Sequence, residues 1–127
     1  MTDVKRTYGA LRAMEECGMV LCIHSEVARP DVDIFDREDH FIDEVMTPLV
    51  KDFPNLRMVM EHVSTGRAVD YVTSGQAGPN VRASITPHHL LYNRNALLVG
   101  GVRPHMYCLP ILKRETHRLA RELLSLV

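Results

Sequence analysis

The sequence has no apolar run long enough to cross a bilayer. Its longest stretches, such as Met19 to Ile23 and Ala96 to Val99, fall far short of the ~20 residues a membrane-spanning helix requires. No basic-then-apolar leader opens the chain, so the expected compartment is the cytoplasm. Charge of one sign never accumulates. The formal net charge is -1 and the charged residues are scattered, which leaves no basic field for nucleic acid or an anionic membrane; neither is an expected partner. Cysteine is scarce: Cys17, Cys22 and Cys108 form no CxxC pair and cannot build a disulfide framework or a thiolate zinc site, so buried thiols are expected. Glycine-rich phosphate signatures are absent too, since Gly100-Gly101 matches neither GxGxxG nor a P-loop. The acidic run around Asp31, Asp33, Asp36, Glu38 and Asp39 lacks the central glycine and spaced glutamate of a calcium loop. Helix capping is the expectation there.

What is present is a repeating pattern. The 127 residues, 46% of them hydrophobic, are enough for one domain or a part of one. Asp3 can cap a helix with Val4, Tyr8, Leu11 and Met14 on one face, and Gly18 is placed to end it. Met19 to Ile23 reads as a parallel strand buried on both faces, ending on His24-Ser25-Glu26. A second helix, Asp36 to Lys51, aligns Phe41, Ile42, Val45, Met46 and Leu49, and Pro48 should kink its last turn. Arg57 to His62 is the next strand, followed by a Ser64-Thr65 cap and a helix running through Tyr71 to Gly75. Val81 to Thr86 forms a third strand, and a long loop without helical or strand period extends from Pro87 to Leu109. Pro110 suits the first turn of a last helix with a stripe of Leu112, Leu119, Leu123 and Leu126. The order αβαβαβα predicts a parallel sheet with helices outside it, either open and doubly wound or part of a (β/α)8 barrel, whose full length is ~250 residues. Both arrangements leave sheet edges for another segment or subunit to cover.

Ligands of parallel α/β folds bind where the strands end, and His24 and His62 both fall there. Two such imidazoles can share one zinc ion, which lowers the pKa of bound water to ~7. The alternative is that each is an ordinary hydrogen-bonded histidine at a strand end. Of His88-His89 at most one should face the rim, and holding the loop is the favoured role. Arg103 with His105 can bind a carboxylate or satisfy loop carbonyls. His40 and His117, among charged neighbours, are expected to be solvated.

Five ordered strings then make a more specific pattern: Leu21 to Glu26, Asp33 to Glu38, Glu61 to Thr65, Ile85 to Leu90, and Gly100 to Pro110. Together they resemble the bacterial-type, single-function dihydroorotases over nearly the whole chain. The resemblance implies a partial (β/α)8 TIM barrel of the amidohydrolase type, with residues 1–127 supplying about strands five to seven. It implies closure of N-carbamoyl-L-aspartate to dihydroorotate in pyrimidine synthesis, and the reverse. It implies that His24 and His62 ligate one of two zinc ions and that Leu109 uses its backbone to hold the substrate ring. In the implied mechanism a hydroxide shared by the metals attacks the ring carbonyl and an aspartate passes the proton on. The family's His-x-His pair, bridging lysine and aspartate have no counterpart in this sequence. The expectation is therefore a fragment without activity of its own, with the missing barrel segments or a homo-oligomer as partner. The competing expectation is a catalytically dead module kept for binding or assembly, and an unrelated zinc-binding α/β domain would leave the Gly100 to Pro110 match unexplained.

Overall fold

The computed structural model describes residues 3–124, with side chains given through residue 121. Asp3 accepts a hydrogen bond from the Lys5 amide at 3.0 Å and opens a 3-10 turn, Val4–Thr7, that runs into α1, Tyr8–Cys17. Gly18 ends α1 at φ 70°, a left-handed cap that costs little without a Cβ. One face of α1 packs inward through Leu11, and Tyr8 meets Phe53 edge-on at 4.9 Å.

Three strands follow: β1 (Val20–His24), β2 (Arg57–Glu61) and β3 (Val81–Ala83). They pair in parallel in the order β1-β2-β3, with His24 opposite Glu61 and Met60 opposite Ala83. Parallel neighbours need crossovers, and each crossover here is helical. The expectation that the first strand is buried on both faces is corrected. Val20, Cys22 and His24 of β1 are exposed, because these alternate residues share the one face of the strand that is left open. β2, paired on both sides, buries Met58 and Met60 completely.

The predicted second helix is interrupted. It comprises α2 (Arg37–Phe41), a π turn (Ile42–Met46) and α3 (Thr47–Asp52). Pro48 explains the insertion. In a regular helix its ring would press on the carbonyl of residue 44 and its missing N–H would leave a gap. The wider turn, in which the Thr47 amide reaches the Ile42 carbonyl, absorbs that conflict one turn earlier. Ile42, Met46 and Leu49 remain buried against the sheet.

Helix α4 (Gly66–Thr73) starts at Thr65, whose hydroxyl accepts from the Ala68 amide at 3.1 Å. Thr65→Ala should cost about 1 kcal/mol by loss of this cap, read as a thermal midpoint lowered by roughly 3–6 °C. No shift would mean that water or a neighbouring group takes over the orphaned amide. The segment predicted as a structureless loop contains α5 (Pro87–Leu91), α6 (Asn95–Leu98) and a 3-10 turn (Pro104–Met106). Elements of three to five residues are too short to show a period, which is why the pattern missed them.

The last helix, α7, spans Glu115–Leu124 and does not start at Pro110. Leu112 is buried in the extended approach to it, whereas Leu119 is 48% exposed. The predicted leucine stripe is therefore not the buried face at these positions; Leu126 and the side chain of Leu123 lie outside the described residues. What α7 buries instead is Arg121, packed where α7 meets α4 and α5. The three cysteines are free and exposed, which corrects the expectation of buried thiols.

Candidate functional site

The site is built by chain direction. Parallel strands deliver their last residues to one rim, and β1 ends on His24 while β2 ends one residue before His62. His62 breaks from the strand at φ 46°, a left-handed conformation uncommon outside glycine. Ser84 holds it there: the His62 amide donates to Ser84 Oγ at 2.9 Å, and the next amide, Val63, donates to the Ser84 carbonyl at 2.9 Å. The Ser84 hydroxyl in turn donates to Glu61. This turn swings the imidazole toward β1.

His24 Nδ1 and His62 Nε2 stand 3.4 Å apart, with the rings edge to face at 5.0 Å. Two nitrogens each ~2.0–2.1 Å from one tetrahedral zinc ion are separated by roughly 3.3–3.4 Å, so the pair has the edge length of such a site. Burial, reinforced by the neighbouring His24, holds the pKa of His62 below the ordinary histidine value, which keeps it neutral as a ligand must be. Its Nδ1 is buried without a hydrogen-bond partner among the described residues. Nor does any group of three or more His, Cys, Asp or Glu side chains among the described residues converge to hold a metal ion. The two histidines therefore fit one half of a metal site.

His88 and His89 pack ring against ring with centroids 4.1 Å apart, and His89 takes the loop-holding role. His89 is fully buried and holds the loop: its Nε2 donates to the Pro110 carbonyl at 2.9 Å while Nδ1 accepts from Thr86 Oγ1 at 2.6 Å. Desolvation pushes its pKa down to about 4. That bond fixes the chain beside Leu109, which is itself 40% exposed. Arg103 donates to the Ala96 carbonyl at 3.1 Å, the loop-satisfying role. His40 pairs with Glu44 at 3.1 Å on the surface. His117 is corrected: it is not a solvated histidine, because its Nδ1 accepts from the Gly66 amide at 3.0 Å and so helps cap α4.

Beneath the pair lies a layer of buried charge that sequence reasoning missed. Glu38, read as a helix cap, is 1% exposed and accepts from the Ser64 amide at 2.7 and 3.0 Å and from the Ser64 hydroxyl. Arg121 donates to the carbonyls of Ser64 and His89. Lys113 and Glu26 complete the layer. One signal was available: Lys113 follows the apolar Ile111-Leu112 as His24 follows its strand, a polar residue set at the end of a buried run.

Parallel strand-and-helix units with polar side chains gathered at the strand ends define a segment of the (β/α)8 barrel class. No family model matches the chain. It is 59% identical over 120 residues to the dihydroorotase of Vibrio vulnificus strain YJ016, covering 94% of this chain and 34% of that protein. Against the dihydroorotase of Ralstonia pickettii strain 12J, identity is 62% over 120 residues with the same coverage. The crystal structure of dihydroorotase from Campylobacter jejuni superposes with a TM-score of 0.87 at 31% identity, over 97% of this chain and 35% of that one. A dihydroorotase from Saccharomyces cerevisiae in complex with 5-fluoroorotic acid gives 0.80 at 25% identity, over 93% and 35%. The chain is thus homologous to dihydroorotases and spans about a third of the length of the curated relatives it matches. No helix among the described residues is long and apolar enough to cross a membrane.

Proposed function

We propose that this chain supplies about strands five to seven of a zinc-dependent dihydroorotase barrel, with His24 and His62 as two ligands of one zinc ion. The observation that carries the reading is the 3.4 Å separation of His24 Nδ1 and His62 Nε2 at the ends of adjacent parallel strands. Zinc, when bound, supplies Lewis acidity toward a carbonyl oxygen. The chain's own contribution is to hold the two imidazoles in register and neutral, and to present the Leu109 backbone from a loop anchored by His89. The substrate class is a cyclic amide with a carboxylate, dihydroorotate and its ring-opened form N-carbamoyl-L-aspartate. The remaining chemistry belongs to other strands of the barrel, so this chain alone turns over no substrate.

The edges of the sheet support a larger assembly. Among the described residues β1 pairs with β2 alone, which leaves its other edge unpaired, as in a strand whose barrel neighbour is elsewhere. The flanking barrel strands are the covering partner that this geometry suits.

Zinc stoichiometry on the purified chain at neutral pH tests the reading. The chain should bind zinc, and His24→Ala with His62→Ala should abolish that binding without unfolding the sheet. Zinc retained by the double variant, or never bound, sinks the assignment.

A further inference from the structure

Two carboxylates and one ammonium lie under the histidine pair. Glu26 has a side chain 3% exposed, and its Oε2 is 3.3 Å from His24 Nε2. Its other oxygen, Oε1, is 3.6 Å from Nζ of Lys113, whose side chain is 1% exposed. Neither Oε1 nor Nζ has a hydrogen-bond partner among the described residues, so the contact is one of charge. On the far side, Glu38 grips the Ser64 amide two residues beyond His62. Lys113 feels the charge of both Glu26 and Glu38. A buried carboxylate is strongly disfavoured unless a cation or donors satisfy it: Ser64 supplies the donors to Glu38, and Lys113 is the cation beside Glu26.

We propose that Lys113 is a positioning residue for His24: a buried ammonium behind the carboxylate that faces the His24 ring. A carboxylate only accepts hydrogen bonds, so its approach to 3.3 Å favours the His24 proton on Nε2 and leaves Nδ1, the atom facing His62, as an acceptor. An ammonium only donates, so Lys113 keeps the opposite oxygen of Glu26 engaged and its charge matched. This inference rests on the metal reading above only for what the lone pair is used for.

The tautomer is observable without metal, from the ring 15N signals of His24 in the zinc-free chain. The wild-type chain should show Nε2–H. In Glu26→Gln the new side chain must turn its oxygen toward Lys113, a pure donor, and so present its NH2 to His24 Nε2. The proton should then move to Nδ1, and zinc affinity should fall roughly 10–100-fold, as for loss of a ligand's supporting partner. Adding Lys113→Met removes the competing donor. In that double variant the glutamine oxygen is free to face His24, and Nε2–H should return. The variant also avoids leaving an unpaired Glu26 carboxylate in the interior, which guards against simple unfolding. Retention of Nε2–H in Glu26→Gln, or no reversal in the double variant, overturns the proposal. A wild-type chain with the expected tautomer switch but no zinc would instead overturn only the metal assignment.

Discussion

Arg121→Leu should lower the stability of this chain by roughly 3–5 kcal/mol, the size seen when one member of a buried polar network is removed. The guanidinium is wholly buried and donates from three nitrogens to two carbonyls, with Nε to His89 O at 3.1 Å. Those carbonyls belong to the turn after His62 and to α5, so Arg121 joins α7 to both. Leucine leaves Ser64 and His89 with unsatisfied oxygens and removes a buried positive charge from the neighbourhood of Glu38. Desolvation lowers the arginine to about 10, still far above neutrality, so it remains charged in the folded state. Arg67 is the contrast. It pairs with Asp43 on the surface, with the two side chains 44% and 60% exposed, and its removal should cost under about 1 kcal/mol. Urea unfolding reads both: the Arg121 variant should show a much lower midpoint at an unchanged slope. Equal midpoints for the two variants would mean that water reaches the buried carbonyls.

The pH dependence of stability should change character when Glu38 is replaced by glutamine. His89 is held at about 4 against an ordinary 6.5 by burial, so its contribution is complete above pH 6.5 and is lost as pH falls toward 4. A displacement of that size corresponds to about 3 kcal/mol. Glu38 runs the other way. Desolvation outweighs the Ser64 hydrogen bonds and lifts its carboxyl from 4.5 to about 7, so the group favours folding below pH 4.5 and that advantage disappears as pH rises through 7. Between pH 7 and 4.5 these two nearly offset, so the slope that remains as pH falls below 6.5 comes from His62, His88 and His117, all held below their ordinary value chiefly by burial, and it levels off where they charge in the folded state. Glu38→Gln removes the offset. Its stability should fall by about 3 kcal/mol more than that of the wild type between pH 7 and pH 4.5. Parallel profiles in urea at pH 7, 5.5 and 4.5 would show that Glu38 does not take up a proton in this range.

Sequence periodicity was enough to find the three strands and to set His24 and His62 at their ends, because an apolar run that stops at a polar residue marks where a buried strand reaches solvent. The distance between the two rings was not legible. It depends on the left-handed turn at His62, which Ser84 holds from just past the end of β3. Glu38 and His117 were misjudged for a related reason. Both sit among charged neighbours, and only tertiary partners, Ser64 for one and Gly66 for the other, reveal that they are buried or engaged. The cysteines failed in the opposite direction. Cys22 lies inside an apolar run, yet β1 keeps one face open, so the thiol is exposed. Elements as short as α5 and α6 carry no periodic signal at all.

The π turn at Ile42–Met46 also fixes where Glu38 points. Successive α-helical residues are ~100° apart around the axis, so removing one residue from this turn would rotate everything before it by about that angle. Glu38 would then leave Ser64 and face another direction altogether. The number of residues between Glu38 and Pro48 is thus as much a specification of the candidate site as their identity, and a one-codon deletion there would disturb that site from a distance.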